Sequence, residues 1–265
     1  MTVASTRPPV VLWAGPINAA QAQSATLPGA FRHFFTCTGD GSTPPKCSDW
    51  AVMSGGRLLP GLLARAGLRE DQVGDIFLGA FSAGGHLWKR LLDIPEDRAR
   101  IRGAMLHDSA YEVGTQKDPR YVEGFVKFGL DVLKDPSKFL LMTASITPNT
   151  PRPGEYYQSG ADTMRATIAE IAKRAGRPIE EGGSLPAGVP AASRLWKPSK
   201  NAIFAQYDNI GHAGLALNSG LYWQHVLQPW LDKGQSETDS DWLVSAIVVA
   251  LGAATGYAGA SFLED

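Results

Sequence analysis

The sequence predicts a three-layer αβα sandwich around a mainly parallel β-sheet, followed by a C-terminal hydrophobic helix. Three observations predict it: apolar runs alternate with helix-like stretches from residue 9 to residue 231, small residues carry one abrupt strand-to-helix passage at 79–86, and the run from Trp242 to Leu263 holds no charge. Repeated βα alternation favours a parallel sheet covered on both faces, because each crossover helix must bury its apolar stripe against the strands. A chain of 265 residues is long enough for one such domain and requires no second.

The first strand is expected over Pro9 to Ala14 (PVVLWA), stopped by Gly15-Pro16, and the next over Phe31 to Thr36. A helix is expected from about Asp49 to Ala66, with Leu58, Leu59, Leu62 and Leu63 on one buried face and Gly67 as its stop. Asp75 to Phe81 (DIFLGAF) reads as a strand that turns sharply at Ser82 into the helical spacing of Leu87 to Leu92. Strands follow over Ile101 to His107 and Lys138 to Ser145, with helices from about Pro119 to Leu133 and Tyr157 to Ala175. Gly176 to Ser199, with four Pro and four Gly, is too rich in breakers for regular structure and reads as a surface or lid loop that sets substrate selectivity. Asn201 to Tyr207 is the last strand, and a helix runs on to about Leu231.

The domain therefore spans 1–233, a polar linker 234–241, and the uncharged helix 242–263. At 1.5 Å per residue that helix measures about 33 Å, against about 30 Å for a bilayer core, so it is expected to anchor the chain to a membrane. Gly252 and Gly256, extended by Gly259 and Ala260, form a small-residue stripe suited to close helix packing, including packing between copies in a homo-oligomer. Which side of the membrane the domain faces is not encoded. The N-terminus lacks the basic segment, long apolar core and cleavage site of a signal peptide, so none is expected.

Composition narrows the partners. A net charge of −1, with no basic run longer than Lys89-Arg90 or Lys173-Arg174, supplies no footprint for nucleic acid. The two cysteines, Cys37 and Cys47, share one Gly/Pro/Ser-rich loop at a spacing that suits a small disulfide, although a reducing compartment would keep them as thiols. No CxxC or His/Cys cluster suggests a metal, and no cofactor is expected.

The chemistry concentrates at Gly79-Ala80-Phe81-Ser82-Ala83-Gly84-Gly85-His86. A serine between strand and helix sits on a strained turn only where the residues two away are small, and here they are Ala80 and Gly84. Ser82 is thus the candidate nucleophile, and the Ala83 N–H, at the helix start, is a candidate donor to an oxyanion. A hydroxyl needs a base, and His212, just after the last strand and flanked by Gly211 and Gly214, is the best placed of five histidines. His86 lies inside the turn's own helix and reads as a packing residue, while His33, His107 and His225 fall elsewhere. For the carboxylate that orients the base, Asp108, which closes the strand after the elbow helix, is the candidate, with Asp162, which follows the next strand, and Asp208, which precedes His212 on its own strand end, as alternatives. Trp13, Phe81, Tyr111, Tyr156, Tyr157 and Trp196 stand at strand ends or in loops where an acyl group would need an apolar lining.

Ser82 to Leu87, reading SAGGHL, resembles the nucleophile elbow of the hormone-sensitive-lipase-like esterases within the α/β-hydrolase superfamily. That resemblance implies a minimal α/β-hydrolase fold, Ser82 as nucleophile, the Ala83 N–H as oxyanion donor, and a carboxylesterase or lipase-like serine hydrolase acting on a small-molecule or lipid ester through a Ser-His-Asp acyl-enzyme. The chain departs from the pattern in three places. Ala80 stands where the motif usually has Gly; Trp13-Ala14-Gly15-Pro16-Ile17 replaces an HGGG-type loop, leaving Gly15 or Ile17 as the second donor since Pro16 has no N–H; and Ile146-Thr147-Pro148-Asn149 follows Lys138 to Ser145 without the usual acid. The missing acid keeps a second reading in play: a catalytically inactive hydrolase-fold structural or assembly protein tethered to a membrane or virion envelope.

Overall fold

A computed structural model describes residues 7–16, 27–38, 46–47, 56–114, 117–118, 120–146 and 156–233. The expected C-terminal helix at 242–263 and the linker before it lie outside the described residues, as does Ile17. Among the described residues, no helix is long and apolar enough to cross a membrane.

Among the described residues ten strands form, in chain order: β1 Val10–Gly15, β2 Phe31–Thr38, β3 Lys46–Cys47, β4 Ile76–Phe81, β5 Ile101–His107, β6 Glu112–Gly114, β7 Phe139–Ser145, β8 Tyr156–Gln158, β9 Arg194–Ser199 and β10 Ala202–Tyr207. Eight of them build one sheet in the order β3-β2-β1-β4-β5-β7-β10-β9, parallel from β2 through β10 and antiparallel at both edges. A mainly parallel sheet with helices on both faces is consistent with the α/β-hydrolase fold. Chain order reverses between β1 and β4, so the crevice at their carboxyl ends is the topological switch point where such sheets receive ligands.

Alternation with period two sorts each strand's side chains to the two faces. Val10, Leu12 and Ala14 face one layer with Ile76, Leu78 and Ala80. That layer is closed by α1 (Leu59–Arg65), α2 (Gly85–Asp93), α4 (Glu123–Lys134) and α5 (Gly160–Ala175), with α3 (Pro95–Arg100) following α2 directly. Val11 and Trp13 face the other layer with Phe77 and Phe81, under α6 (His212–Leu217), α7 (Ser219–Tyr222) and the π turn Trp223–Leu227.

Three of the departures from the sequence's expectation have a clear local reason. The helix expected from Asp49 begins, within the described residues, only at Leu59: Gly56 takes φ +81, Pro60 occupies the first turn, and the buried Asp97 carboxylate accepts from the amides of Leu58 (2.6 Å) and Leu59 (3.1 Å). Arg57 Nε, 2.8 Å from Asp97, balances that carboxylate's charge. The helix expected from Tyr157 starts at Gly160, because Tyr156–Gln158 pairs with β6 in a separate two-stranded sheet and Ser159 caps the helix, its Oγ accepting from the Asp162 amide at 3.1 Å. The stretch read as irregular over 176–199 ends in a strand, β9. Its Pro198 lacks the N–H of a central strand, yet β9 is the sheet's edge and buries Leu195 and Trp196 against it. Near the opposite edge, Cys37 is buried and disulfide-bonded, and Cys47, the other cysteine of the sequence, is its register partner.

Two histidines are part of this core. His107 ends β5 fully buried, stacked 6.1 Å from Trp13, with Nδ1 3.2 Å from Thr143 Oγ1. His86 packs edge-on to Tyr111 and Tyr121 in α2. Burial pushes the pKa of each down to about 3, with the Lys89 charge adding to the effect at His86. Both rings therefore stay neutral in the fold while the unfolded chain binds protons near pH 6.5, so stability present above that pH is lost as pH falls from about 6.5 towards 3. Thermal unfolding followed across this window is expected to show a falling Tm. His107→Asn, which keeps a polar group facing Thr143 and removes one titrating ring, is expected to flatten the fall; an unchanged slope would contradict the assignment.

Candidate active site

The carboxyl ends of β1, β4, β5, β7 and β10 meet at one edge of the sheet. At the end of β4, Ser82 opens a 3₁₀ turn, Ser82–Gly84, that runs straight into α2. Its φ is +53, and the one other non-glycine residue with positive φ among the described residues is Asp108, at +44. Such conformations cost about 1–3 kcal/mol each and persist only where the surroundings impose them.

Close backbone approaches impose the first. A Cβ on Gly84 would lie 1.9 Å from the Ala14 carbonyl oxygen, and one on Gly85 would lie 1.7 Å from that of Ser109. The turn is thus wedged between the ends of β1 and β5, and these two positions of SAGGHL admit nothing larger than glycine. Gly79, three residues before Ser82 in β4, makes room for the Trp13 ring, which a Cβ there would meet at 1.9 Å. Gly15 touches the same corner, since its Cβ would fall 2.8 Å from the Phe81 carbonyl oxygen. The Gly15 backbone therefore abuts the Ser82 turn, where the sequence places a second oxyanion donor; Ile17, the other candidate, is outside the described residues. Ala83 is buried at the start of the turn.

Asp108 is held on three sides. Its amide donates to the Thr143 carbonyl at 2.7 Å, its Oδ1 accepts from the Ser145 amide at 3.3 Å, and its Oδ2 lies 2.8 Å from His212 Nδ1. A carboxylate accepts, so Nδ1 is the donor and carries the ring proton, which leaves Nε2 as the acceptor. His212 itself is the first residue of α6, with Gly211 at the N-cap, so the short loop after β10 returns the imidazole over the sheet edge. The ring lies 4.5 Å from Phe81, the residue before Ser82, and 6.4 Å from Tyr111, whose hydroxyl is 3.5 Å from Ser82 Oγ. Ser82 keeps 8% of its surface exposed and the His212 side chain 25%, so both remain within reach of a ligand.

The other two carboxylates are engaged elsewhere. Asp162 serves the N-terminus of α5, accepting from Ser159 Oγ at 2.7 Å and pairing with Arg165. Asp208 accepts from Gln206 Nε2 at 3.0 Å, and its amide donates to Ser193 Oγ at 2.9 Å. Of the three candidate carboxylates, Asp108 is the one bonded to His212; Asp162 and Asp208 are bonded to other groups. The spacing of a Ser N-cap at 159 followed by an acidic residue in the first helical turn at 162 is the signal that assigns Asp162 to its helix. Of the aromatic residues, Phe81 and Tyr111 stand beside His212, whereas Trp13 packs against His107 and Trp223 in the core. Among the described residues no group of three or more His, Cys, Asp or Glu side chains is placed to hold a metal ion.

Gly160 has a role that spacing could not suggest. A Cβ there would lie 2.2 Å from Asp108 Oδ1, so α5 can start where it does only because its first residue has no side chain. Gly160→Ala should displace the carboxylate and destabilise the fold by about 1–3 kcal/mol, read by denaturant unfolding. An undisturbed midpoint would show that the approach is not as close as described.

No protein-family model matches the chain, and no curated protein matches it. Among solved structures, the chain is similar to LpqC, poly(3-hydroxybutyrate) depolymerase from Bordetella parapertussis, at 14% identity with a TM-score of 0.45, the match covering 84% of this chain and 80% of that one.

Proposed function

We propose that the chain is a serine hydrolase that cleaves a carboxylic ester through an acyl-enzyme, with Ser82 as nucleophile, His212 as base and Asp108 as the group that orients it. The observation that carries this reading is the Asp108–His212 pair, 2.8 Å apart, at the same sheet edge as a serine in a strained strand-to-helix turn. The likeness of SAGGHL to the elbow of hormone-sensitive-lipase-like esterases supports it, as does the switch-point position.

The reaction follows from the roles. His212 Nε2 takes the Ser82 hydroxyl proton as Oγ bonds to the ester carbon, and the carbonyl electron pair moves onto oxygen. The amides of Ala83 and of the 15–17 segment receive that oxyanion. The bond to the alcohol then breaks, the proton passes from Nε2 to the leaving oxygen, and Asp108 stabilises the intervening imidazolium. Water, deprotonated by His212, repeats the sequence on the acyl group; the acyl–Oγ bond breaks and the proton returns to Ser82.

The inactive-scaffold alternative drew its motive from the lack of a carboxylate after Lys138 to Ser145. Asp108 offers one from the neighbouring strand, and no observation favours that alternative now. Ser82→Ala is expected to abolish both turnover of a short-chain aryl ester and labelling by a fluorophosphonate. Asp108→Asn is expected to lower kcat by about 10⁴-fold with the fold intact. Labelling that survives Ser82→Ala would refute the assignment.

A further inference from the structure

The Ser82 hydroxyl has a neighbour that the three-residue mechanism does not use. Tyr111 Oη lies 3.5 Å from Ser82 Oγ, and Tyr111 is 7% exposed. Its ring stands edge-on to His86 at 5.4 Å and to His212 at 6.4 Å. Its carbonyl accepts from the Tyr121 hydroxyl, and the Tyr121 ring in turn lies under the Lys89 ammonium, 3.7 Å from the ring centroid. The phenol is thus fixed from behind by its backbone and from the sides by two imidazoles, with its hydroxyl directed at the nucleophile.

Resting on the hydrolase reading above, we propose that Tyr111 is a fourth catalytic residue, whose hydroxyl donates a hydrogen bond to Ser82 Oγ whenever that oxygen carries negative charge. Such charge arises twice: as Oγ gives its proton to His212 and attacks the ester carbon, and again when the acyl–Oγ bond breaks and Oγ leaves with the electron pair. The phenol keeps its proton throughout, so no extra acid or base enters the balance. Burial, the larger influence, raises the Tyr111 pKa above the ordinary value for a phenol, which keeps the group a donor at neutral pH. A donor to a charged oxygen is worth more than one to a neutral hydroxyl, so the bond favours the transition state over the resting enzyme. His86 helps hold the phenol in place, its buried ring packing edge-on to Tyr111 at 5.4 Å.

Tyr111→Phe isolates the hydroxyl, because the ring contacts and the carbonyl bond from Tyr121 remain available. The expected result is an unchanged Tm, a loss on the order of 10- to 100-fold in both kcat and the rate of fluorophosphonate labelling at Ser82, an unmoved KM, and the same midpoint in the pH profile of kcat/KM. Labelling reads attack by Oγ alone, here on phosphorus with loss of fluoride, so it separates a catalytic hydroxyl from one that merely lines the substrate pocket, which would move KM instead. If wild type is labelled at Ser82 and Tyr111→Phe labels and turns over equally fast, the proposal falls while the hydrolase reading stands; if wild type is not labelled, that reading falls and takes the proposal with it. Should Tyr111→Phe fail to fold, a fluorinated tyrosine placed at 111 keeps the shape and makes the phenol more acidic. Labelling should then decline at alkaline pH as the donor ionises, and a profile matching wild type there would overturn the role.

Discussion

Two strand ends and one turn share very little space at the carboxyl edge of this sheet, and the rest of the site depends on how they fit. The backbone from Ser82 to Gly85 passes between the Ala14 carbonyl and the Ser109 carbonyl so closely that neither Gly84 nor Gly85 admits a Cβ. That wedge forces Ser82 into φ +53 and sets its side chain beside the end of β5, where Asp108 and Tyr111 follow. Strain stored in the turn is offset by the core beneath it: Trp13 lies across Gly79, and Trp88 Nε1 donates to the Gly79 carbonyl at 2.6 Å. A turn of this kind is stable only because α2 and β1 are both fully packed.

A second convergence spans 104 positions of sequence. Asp108 is pinned to β7 through Thr143 and Ser145, and His212 is delivered by the loop after β10, so three adjacent strands cooperate to bring Oδ2 within 2.8 Å of Nδ1. Asp108 reaches the imidazole from the end of β5, the strand next to β4, although no carboxylate directly follows β7. In the proposed mechanism, Ser82, His212 and Asp108 would divide the labour as nucleophile, base and orienting acid, with the acid placed one strand earlier than the sequence comparison with the esterase pattern suggests. His86 and His107, both driven neutral by burial, belong to the scaffold around it.

Much of the layered architecture was legible in the sequence because parallel strands buried on both faces read as dense apolar runs, and β1, β4, β5, β7 and β10 are such runs. β9 was not, since Pro198 and its flanking glycines and prolines obey edge-strand rules that composition alone cannot tell from a loop. The start of α1 depended on Asp97, some 40 residues away, whose carboxylate caps it. Ser82, His212, Asp108, Asp162 and Asp208 could all be named from residue type and position, but choosing among the carboxylates required their partners: Asp162 is bound to its helix, Asp208 to Gln206, and Asp108 to the imidazole. Tyr111 stood in the sequence only as one aromatic residue among six, three positions after Asp108, with nothing local to show that its hydroxyl meets the serine.

The proposed mechanism requires a single imidazole, clamped by Asp108, to serve the oxygen of the Ser82 turn. A crystal structure of the full chain after treatment with an aryl phosphonate tests it most directly. The expected density shows phosphorus bonded to Ser82 Oγ, His212 Nε2 within about 3 Å of that oxygen or of the leaving-group position, and Nδ1 still on Asp108. Phosphorus on another side chain, or an imidazole turned away from the adduct with Asp108 released, would contradict it.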